Sequence, residues 1–236
     1  MNIKETTGRG LSTSNRMLAE EAYRRGITFE ILPKKRFKMT DGKKSYIIRR
    51  GRISPAYNTR LAVKLTKYKN ATSNFLRGLG YSAPENAVFF KHQVDRAWKW
   101  AEDILPVVLK PNDGIMGKLV FVQIDTYEEF KACFEKIAEV RNEILIEQFV
   151  EGEEYRFTFV KNEVVAVAKR VSANVVGDGV KNMEQLIIYK NEQRAQRKNP
   201  LHKKLDMGEE SERVLKKQGL TFNDVPEKGQ TVLSQK

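Results

Sequence analysis

Two stretches of this 236-residue chain combine residue types whose spacing could do chemistry. The first is Lys110-Pro111-Asn112-Asp113-Gly114-Ile115-Met116-Gly117-Lys118. It follows the apolar triplet Val107-Val108-Leu109 and leads into a second strand-like run over 119–124. A strand that delivers a lysine, then a glycine-bearing turn and a returning strand, can close over phosphate groups. Glycine lets backbone N–H groups come close, and the ammonium supplies charge. A Walker loop is excluded, because that needs Gly-Lys-Ser/Thr opening a helix. The same residues also suit a β-hairpin with an exposed basic tip. The second stretch is 144–159, ILIEQFVEGEEYRFTF. The run Ile144-Leu145-Ile146 suits a buried strand, Glu-Gly-Glu-Glu with Gly152 makes a connection, and 155–160 reads as a second strand. Such a hinge between two sheets could offer backbone N–H and C=O groups at Glu147, Gln148, Phe149 and Val150 to a purine ring. The Glu154 carboxylate could then accept from ribose hydroxyls. A plain hairpin with an acidic, solvated turn fits as well.

Composition narrows the class. The chain is 40% hydrophobic and 31% charged, so it is globular rather than disordered. No apolar run reaches membrane-spanning length, and MNIKETTGRG lacks a signal peptide's apolar core. Cys133 is the single cysteine, so no intrachain disulfide forms. These features point to the cytoplasm. A formal charge of +13 favours phosphate-bearing partners, whether nucleotide, nucleic acid or anionic substrate.

The elements that must position these stretches are read in chain order. STSNRMLAEEAYRRG has a cap, good helix formers and a stop at Gly26. Thr28–Leu32 and Ser45–Arg49 read as two short strands, with Lys34-Lys35-Arg36 and Asp41-Gly42-Lys43-Lys44 as turn signals. Gly8-Arg9-Gly10 has neither a preceding strand nor the third glycine of a dinucleotide fingerprint. Residues 60–79 read as one helix with Leu61, Leu65, Tyr68, Phe75, Leu76 and Leu79 on one face. A strand at 88–90 and helices at 92–102 and 126–140 follow. Beyond the hinge come a strand at 164–171, a glycine turn from Ala173 to Gly179 and a basic helix at 183–197. The tail offers a short helix at 209–218 and no apolar closing element, and its Lys203-Lys204 and Lys216-Lys217 pairs read as a solvated face.

The ordered set Lys110-Pro, glycine loop, strand, helix, Glu147-Gln-Phe-Val-Glu-Gly-Glu-Glu154-Tyr-Arg156, then Ala168-Lys-Arg-Val-Ser-Ala-Asn-Val-Val-Gly-Asp-Gly179, resembles the ATP-grasp superfamily. The nearest likeness is to the ATP-grasp domains of bifunctional glutamate–cysteine ligase/glutathione synthetase and of cyanophycin synthetase. Arg-Val-x-Ala-Asn-Val-Val-Gly-Asp-Gly is its most specific part. Lys69-x-x-Thr72 with Gly80 and Pro84, Lys190-Asn191, Pro200-Leu201, and Gly219 to Gly229 add to it. The likeness covers nearly the whole chain.

The resemblance implies an α+β fold of two lobes, antiparallel sheets flanked by helices, with a nucleotide cleft between them. It divides the chain into an N-terminal α/β segment at 1–55, a first lobe with the glycine loop at 56–150, and a second, apparently truncated lobe at 151–236. It implies a carboxylate–amine ligase: ATP phosphorylates a carboxylate, and an amine displaces phosphate to give an amide. By position, Lys69 and Lys110 would bind the α/β phosphates. Asp113, Gly114 and Gly117 would form a mobile cover. The backbone of Glu147, Gln148, Phe149 and Val150 would meet adenine, and Glu154 the ribose. Arg156, Lys169 and Arg170 would face the phosphates or the substrate carboxylate, with Arg156 and Arg170 as the catalytic pair. Phosphoryl transfer calls for cations around the moving oxygens rather than a protein nucleophile.

Three departures bear on this. Leu119 stands where relatives usually have a second loop glycine, and Tyr68 where Asp is common. The sequence ends at Lys236, where the relatives would continue into the Asp and Glu-x-Asn elements that hold magnesium, and Asp178, Asp206 and Asp224 do not match those positions. The expectation is therefore ATP and Mg2+ as cofactors with no metal ligand found in this chain. Three readings stay open: a ligase, whole or in part; a nucleotide-binding module needing a further segment or partner; and, remotely, a nucleic-acid binder suggested by charge alone. A homo-oligomer is also left open.

Overall fold

The computed structural model describes residues 11–33, 36–49, 52–54, 58–114, 117–197 and 203–235. The chain divides into two compact units, Met1–Thr66 and Lys67–Lys236.

In the first unit, helix α1 (Thr13–Arg24) starts where the Ser12 hydroxyl accepts the Asn15 N–H. Strands β1 (Thr28–Leu32), β2 (Arg36–Thr40), β3 (Ser45–Arg49) and β4 (Arg52–Ser54) pair antiparallel in chain order. Phe37 and Ile48 oppose each other in register and are fully buried with Ala19 of α1. The Asp41 carboxylate accepts the N–H groups of Lys43 and Lys44 and so closes the β2–β3 turn. The sequence reading found two of these four strands. Arg36 opens β2 instead of lying in a turn, and the alternation of Phe37 and Met39 that makes the strand is masked by neighbouring charges. Lys34 and Lys35 lie outside the described residues, as does Gly8-Arg9-Gly10.

The helix expected over 60–79 is two helices, α2 (Arg60–Leu65) and α3 (Lys69–Gly78). At the C-terminal end of α2 the Thr66 hydroxyl donates back to the Ala62 carbonyl at 2.9 Å. The apolar face expected across both is not buried: Leu61, Phe75 and Leu79 are exposed.

The second unit is built on a four-stranded antiparallel sheet in the order β5–β8–β6–β7, comprising β5 (Asn86–Phe90), β6 (Val107–Pro111), β7 (Phe121–Ile124) and β8 (Glu143–Gln148). Alternation sorts the strand residues onto two faces. Phe89, Val107, Leu109, Ile144 and Ile146 form one face, which packs under α4 (Val94–Ala101) and α5 (Tyr127–Ala138). The other face carries Asn86, Glu143, Glu147 and Lys110 among the apolar Val88, Val108 and Leu145, on a sheet whose far side is a closed core. Cys133 is buried in that core, and burial pushes its thiol up to about 11.

After β8 the chain runs into a separate hairpin, β9 (Glu154–Val160) with β10 (Glu163–Arg170). Strands β11 (Ala173–Val176) and β12 (Thr231–Gln235) then pair antiparallel. With α6 (Met183–Gln196) and α7 (Glu209–Lys216) they enclose Val175, Met183, Ile187, Leu215 and Val232. Two expectations are corrected here. Ala173 to Val176 is strand, and the tail does close with an apolar strand. Gly177 belongs to packing: a Cβ there would stand 2.2 Å from the Glu227 carbonyl oxygen, and its N–H and C=O bond to Gln230 and Gly229. Lys217, read as part of a solvated face, donates to the Gln123 carbonyl and pairs with Glu129 at 2.9 Å. Arg213 donates to Val122 O at 3.1 Å and to Glu129 at 2.8 Å, so α7 is fastened to β7 and α5. No helix of the described residues is long and apolar enough to cross a membrane.

Candidate functional site

Strand β6 brings Lys110 to the sheet face turned away from the α4–α5 core, one residue pair along from Glu147 on β8. Their ammonium and carboxylate are paired, and each side chain is only 15% exposed. Asn112, two residues beyond Lys110 on the same alternation, is 3% exposed and donates to Glu143 at 3.0 Å. Lys69, at the start of α3, directs its ammonium to the carbonyls of Pro111, Asn112 and Gly114. Burial lowers the Lys69 pKa, and the charge of Lys110 adds to that. Lys69, Lys110, Asp113, Gly114 and Glu147 thus gather at the outlet of β6, while Ile115 and Met116 lie outside the described residues. Asp113 lies 3.6 Å from the Arg141 guanidinium. Gly117 takes φ of 71°, and Leu119, two residues on, takes 54°.

At the hinge, the sheet already uses part of the backbone. The Gln148 N–H donates to Glu85 O at 2.8 Å and the Phe149 N–H to Pro106 O at 3.0 Å. Val150 is the first exposed hinge residue after them, at 62%.

In the β9–β10 hairpin Glu154 opposes Arg170 and Arg156 opposes Ala168, so Glu154, Arg156 and Arg170 share one face. Glu154 and Arg170 are ion-paired. Lys169 stands on the opposite face, opposing Tyr155, and pairs with Glu153. That ion pair, with the hydrogen bond from the Tyr155 hydroxyl, holds the Glu153 carboxyl below its usual range. Arg156 and Arg170 are therefore together, and Lys169 is apart from them. Tyr155, Phe157 and Phe159 are exposed on the Lys169 face.

One site residue was missed in the sequence. Asn112 carried a signal, as a polar residue two positions after Lys110 on a buried strand's alternation.

No protein-family model matches the chain. Cyanophycin synthetase of Trichormus variabilis is 30% identical over 225 residues, covering 93% of this chain and 24% of that protein. The glutathione biosynthesis bifunctional protein of Desulfotalea psychrophila is 30% identical over 245 aligned residues, covering 95% of this chain and 29% of that protein. A solved bifunctional glutathione synthetase from Pasteurella multocida superposes with a TM-score of 0.54 at 26% identity, covering 96% of this chain and 31% of that one. The chain resembles the ATP-grasp ligases, in sequence and in fold. It spans roughly a quarter to a third of the length of these relatives.

ATP-grasp ligases generally work with ATP and magnesium, and the acidic side chains here test whether the ion would fit. Glu147 is taken by Lys110, Glu143 by Asn112, Glu154 by Arg170 and Glu153 by Lys169. Asp178 holds a turn, where the Lys181 ammonium and then the N–H groups of Lys181 and Val180 keep its carboxyl well below the usual range. Among the described residues no group of three or more His, Cys, Asp or Glu gathers as a metal site. These residues do not make a magnesium donor set.

Proposed function

We propose that this chain forms the nucleotide-binding part of an ATP-dependent carboxylate–amine ligase of ATP-grasp type. The observation that carries this is the short connection that leads from strand β8 to strand β9. It sets the Lys110–Glu147 pair just before the hinge, and Glu154 and Arg156 just after it. In this reading Lys110, with Lys69 beside it, supplies positive charge at the phosphates, and Asp113, Gly114 and Gly117 flank them. The adenine edge meets backbone at Glu147 to Val150, chiefly at Val150, since sheet bonds engage the Gln148 and Phe149 N–H groups. Glu154 accepts from the ribose. Arg156 and Arg170, on one face, neutralise the transferring phosphoryl group or hold the substrate carboxylate, while Lys169 serves from the hairpin's other side.

The reaction class is the one named for the resemblance. A carboxylate oxygen attacks the γ-phosphorus and ADP leaves. An amine nitrogen then attacks the acylphosphate carbon, and phosphate leaves with the bond electrons. The chain's own residues would bind, orient and screen charge in this scheme, which is most of what phosphoryl transfer asks of a protein. The partners are ATP or ADP and small carboxylate and amine substrates, in the cytoplasm. A second reading, a module that binds nucleotide without turning it over, is favoured by the ion-paired state of Glu147 and Glu154.

Calorimetric titration with ATP and ADP tests the binding. Lys110→Ala should weaken it by about 1–3 kcal/mol, and unchanged affinity would remove Lys110 from the site. Phosphate release with amino-acid or glutamyl-peptide acids, amines and magnesium separates the two readings. Substrate-dependent turnover by this chain supports the ligase, and binding without turnover supports the module.

A further inference from the structure

Helix α3 starts without a cap of its own, since its N-cap residue, Tyr68, makes no side-chain bond to the first turn. The first N–H groups of a helix have no partner within it and need acceptors from elsewhere. Two of them find both acceptors on one residue of another element. The Lys69 N–H donates to Asn112 O at 3.2 Å, and the Asn70 N–H to Asn112 Oδ1 at 3.3 Å, 42 positions away. Asn112 follows β6 directly and is 3% exposed. The other end of its amide, Nδ2, donates to Glu143 Oε2 at 3.0 Å, where β8 begins. Register agrees with that contact: Pro111 opposes Ile144, so one further step places Asn112 opposite Glu143. An N–H on one side and a carboxylate on the other fix which end of the amide is oxygen. One buried side chain therefore joins three elements. They are α3, which carries Lys69, β6, which carries Lys110, and β8, which carries Glu147.

We propose that Asn112 is a positioning residue. It caps α3 from the strand that delivers Lys110, and so holds Lys69 and Lys110 in fixed relation where the phosphates bind. What the two lysines bind rests on the nucleotide reading above, whereas the cap does not. Asparagine suits the place because it offers an acceptor and a donor at once. An aliphatic side chain would leave the Asn70 N–H and the Glu143 oxygen without this partner. Aspartate would keep the acceptor but set a second carboxylate against Glu143.

Amide hydrogen exchange on the full chain without nucleotide reads the cap. The Lys69 and Asn70 amides should be protected in the parent and exchange about tenfold faster in Asn112→Ala, with amides inside β5 and β8 unchanged. Asn112→Asp should lose protection as well, because two carboxylates then face each other. Adding Glu143→Gln to Asn112→Asp should restore it, since the glutamine amide now donates to the aspartate. Glu143→Gln alone should match the parent, its amide oxygen accepting from Asn112. Unprotected Lys69 and Asn70 amides in the parent overturn the proposal without any variant. So does a double variant no better protected than Asn112→Asp.

Calorimetry with ATP reads the consequence. Asn112→Ala should weaken binding about tenfold. Lys69→Ala should then cost several-fold less affinity in the Asn112→Ala background than in the parent, because Asn112 acts through Lys69. Additive losses would make Asn112 a structural residue only and overturn the proposal. If the parent binds neither ATP nor ADP, the nucleotide reading falls, and the exchange result still decides whether Asn112 caps α3.

Discussion

Lys110 and Glu147, on neighbouring strands of one sheet, form an ion pair in which each side chain is only 15% exposed. They sit on the face opposite the α4–α5 core. Removing one partner leaves a covered charge alone, whereas replacing both with apolar side chains removes the desolvation cost together with the attraction. Glu147→Ala should destabilise the chain by about 2–3 kcal/mol, and Lys110→Met/Glu147→Leu should recover at least half of that. Urea unfolding of the three proteins measures it. A double variant as unstable as the single one would show that the pair contributes through something other than mutual neutralisation.

Glu154 and Arg170 are also paired, but more than half of each side chain is exposed. Their pair should hold little stability, on the order of 0.5 kcal/mol or less. Its proposed value is in binding. Glu154→Gln should melt like the parent yet lose discrimination between ATP and 2′-deoxy-ATP in calorimetry. A preference ratio equal to the parent's would take the ribose contact away from Glu154.

Leu119 has a φ of 54°, a left-handed backbone that costs an L-residue roughly 1–2 kcal/mol and costs glycine little. The usual order of substitutions should therefore invert. Leu119→Ala loses the side chain's packing and keeps the strain, while Leu119→Gly loses the packing and releases it. The glycine variant should be more stable than the alanine variant by about 1 kcal/mol, as read from thermal or urea melts. Alanine above glycine would mean that the loop relaxes around Leu119 at no cost.

Asp178 provides a pH signature. Its carboxyl is held below the ordinary range by Lys181 and two backbone N–H groups, so its folded pKa lies under its unfolded one. A depressed carboxylate contributes stability above its unfolded pKa, near 3.9, and loses it as pH falls toward the folded value. The parent should therefore be more stable than Asp178→Asn at pH 6, and the gap should narrow steadily below about pH 4. Urea melts of both proteins across that range measure it, and a constant gap would show that the side chain acts by geometry alone.

Much of the second unit could be read from the sequence because its signals are local. Val107-Val108-Leu109, Ile144-Leu145-Ile146 and the capped helix at 127–138 declare themselves by apolar runs and a Thr126 cap. The pairing of Lys110 with Glu147 was not legible, because the two lie on different strands and the resemblance gave them separate roles. Other features needed distance to be resolved. Thr231–Gln235 shows only two apolar residues, and it becomes a strand because Ala173–Val176 waits with a matching edge. The interruption between Leu65 and Lys69 that makes 60–79 two helices leaves no mark on side-chain periodicity. The split of Lys169 from Arg170 follows from simple alternation along β10, yet a motif read as a string of basic residues treats them as one group.

The pairing of β11 with β12 joins residues more than 50 positions apart. As the chain leaves a ribosome, the β5–β8–β6–β7 sheet can assemble as soon as Gln148 is clear of the exit tunnel. The core around Met183, Ile187 and Leu215 cannot, because Val232, which belongs to it, is made after all of them. For the whole interval in which residues 177–230 are synthesised, Val175 stays uncovered beside the finished sheet. The second core thus waits for β12, and the sequence between β11 and β12 governs how long a nascent molecule carries that apolar surface.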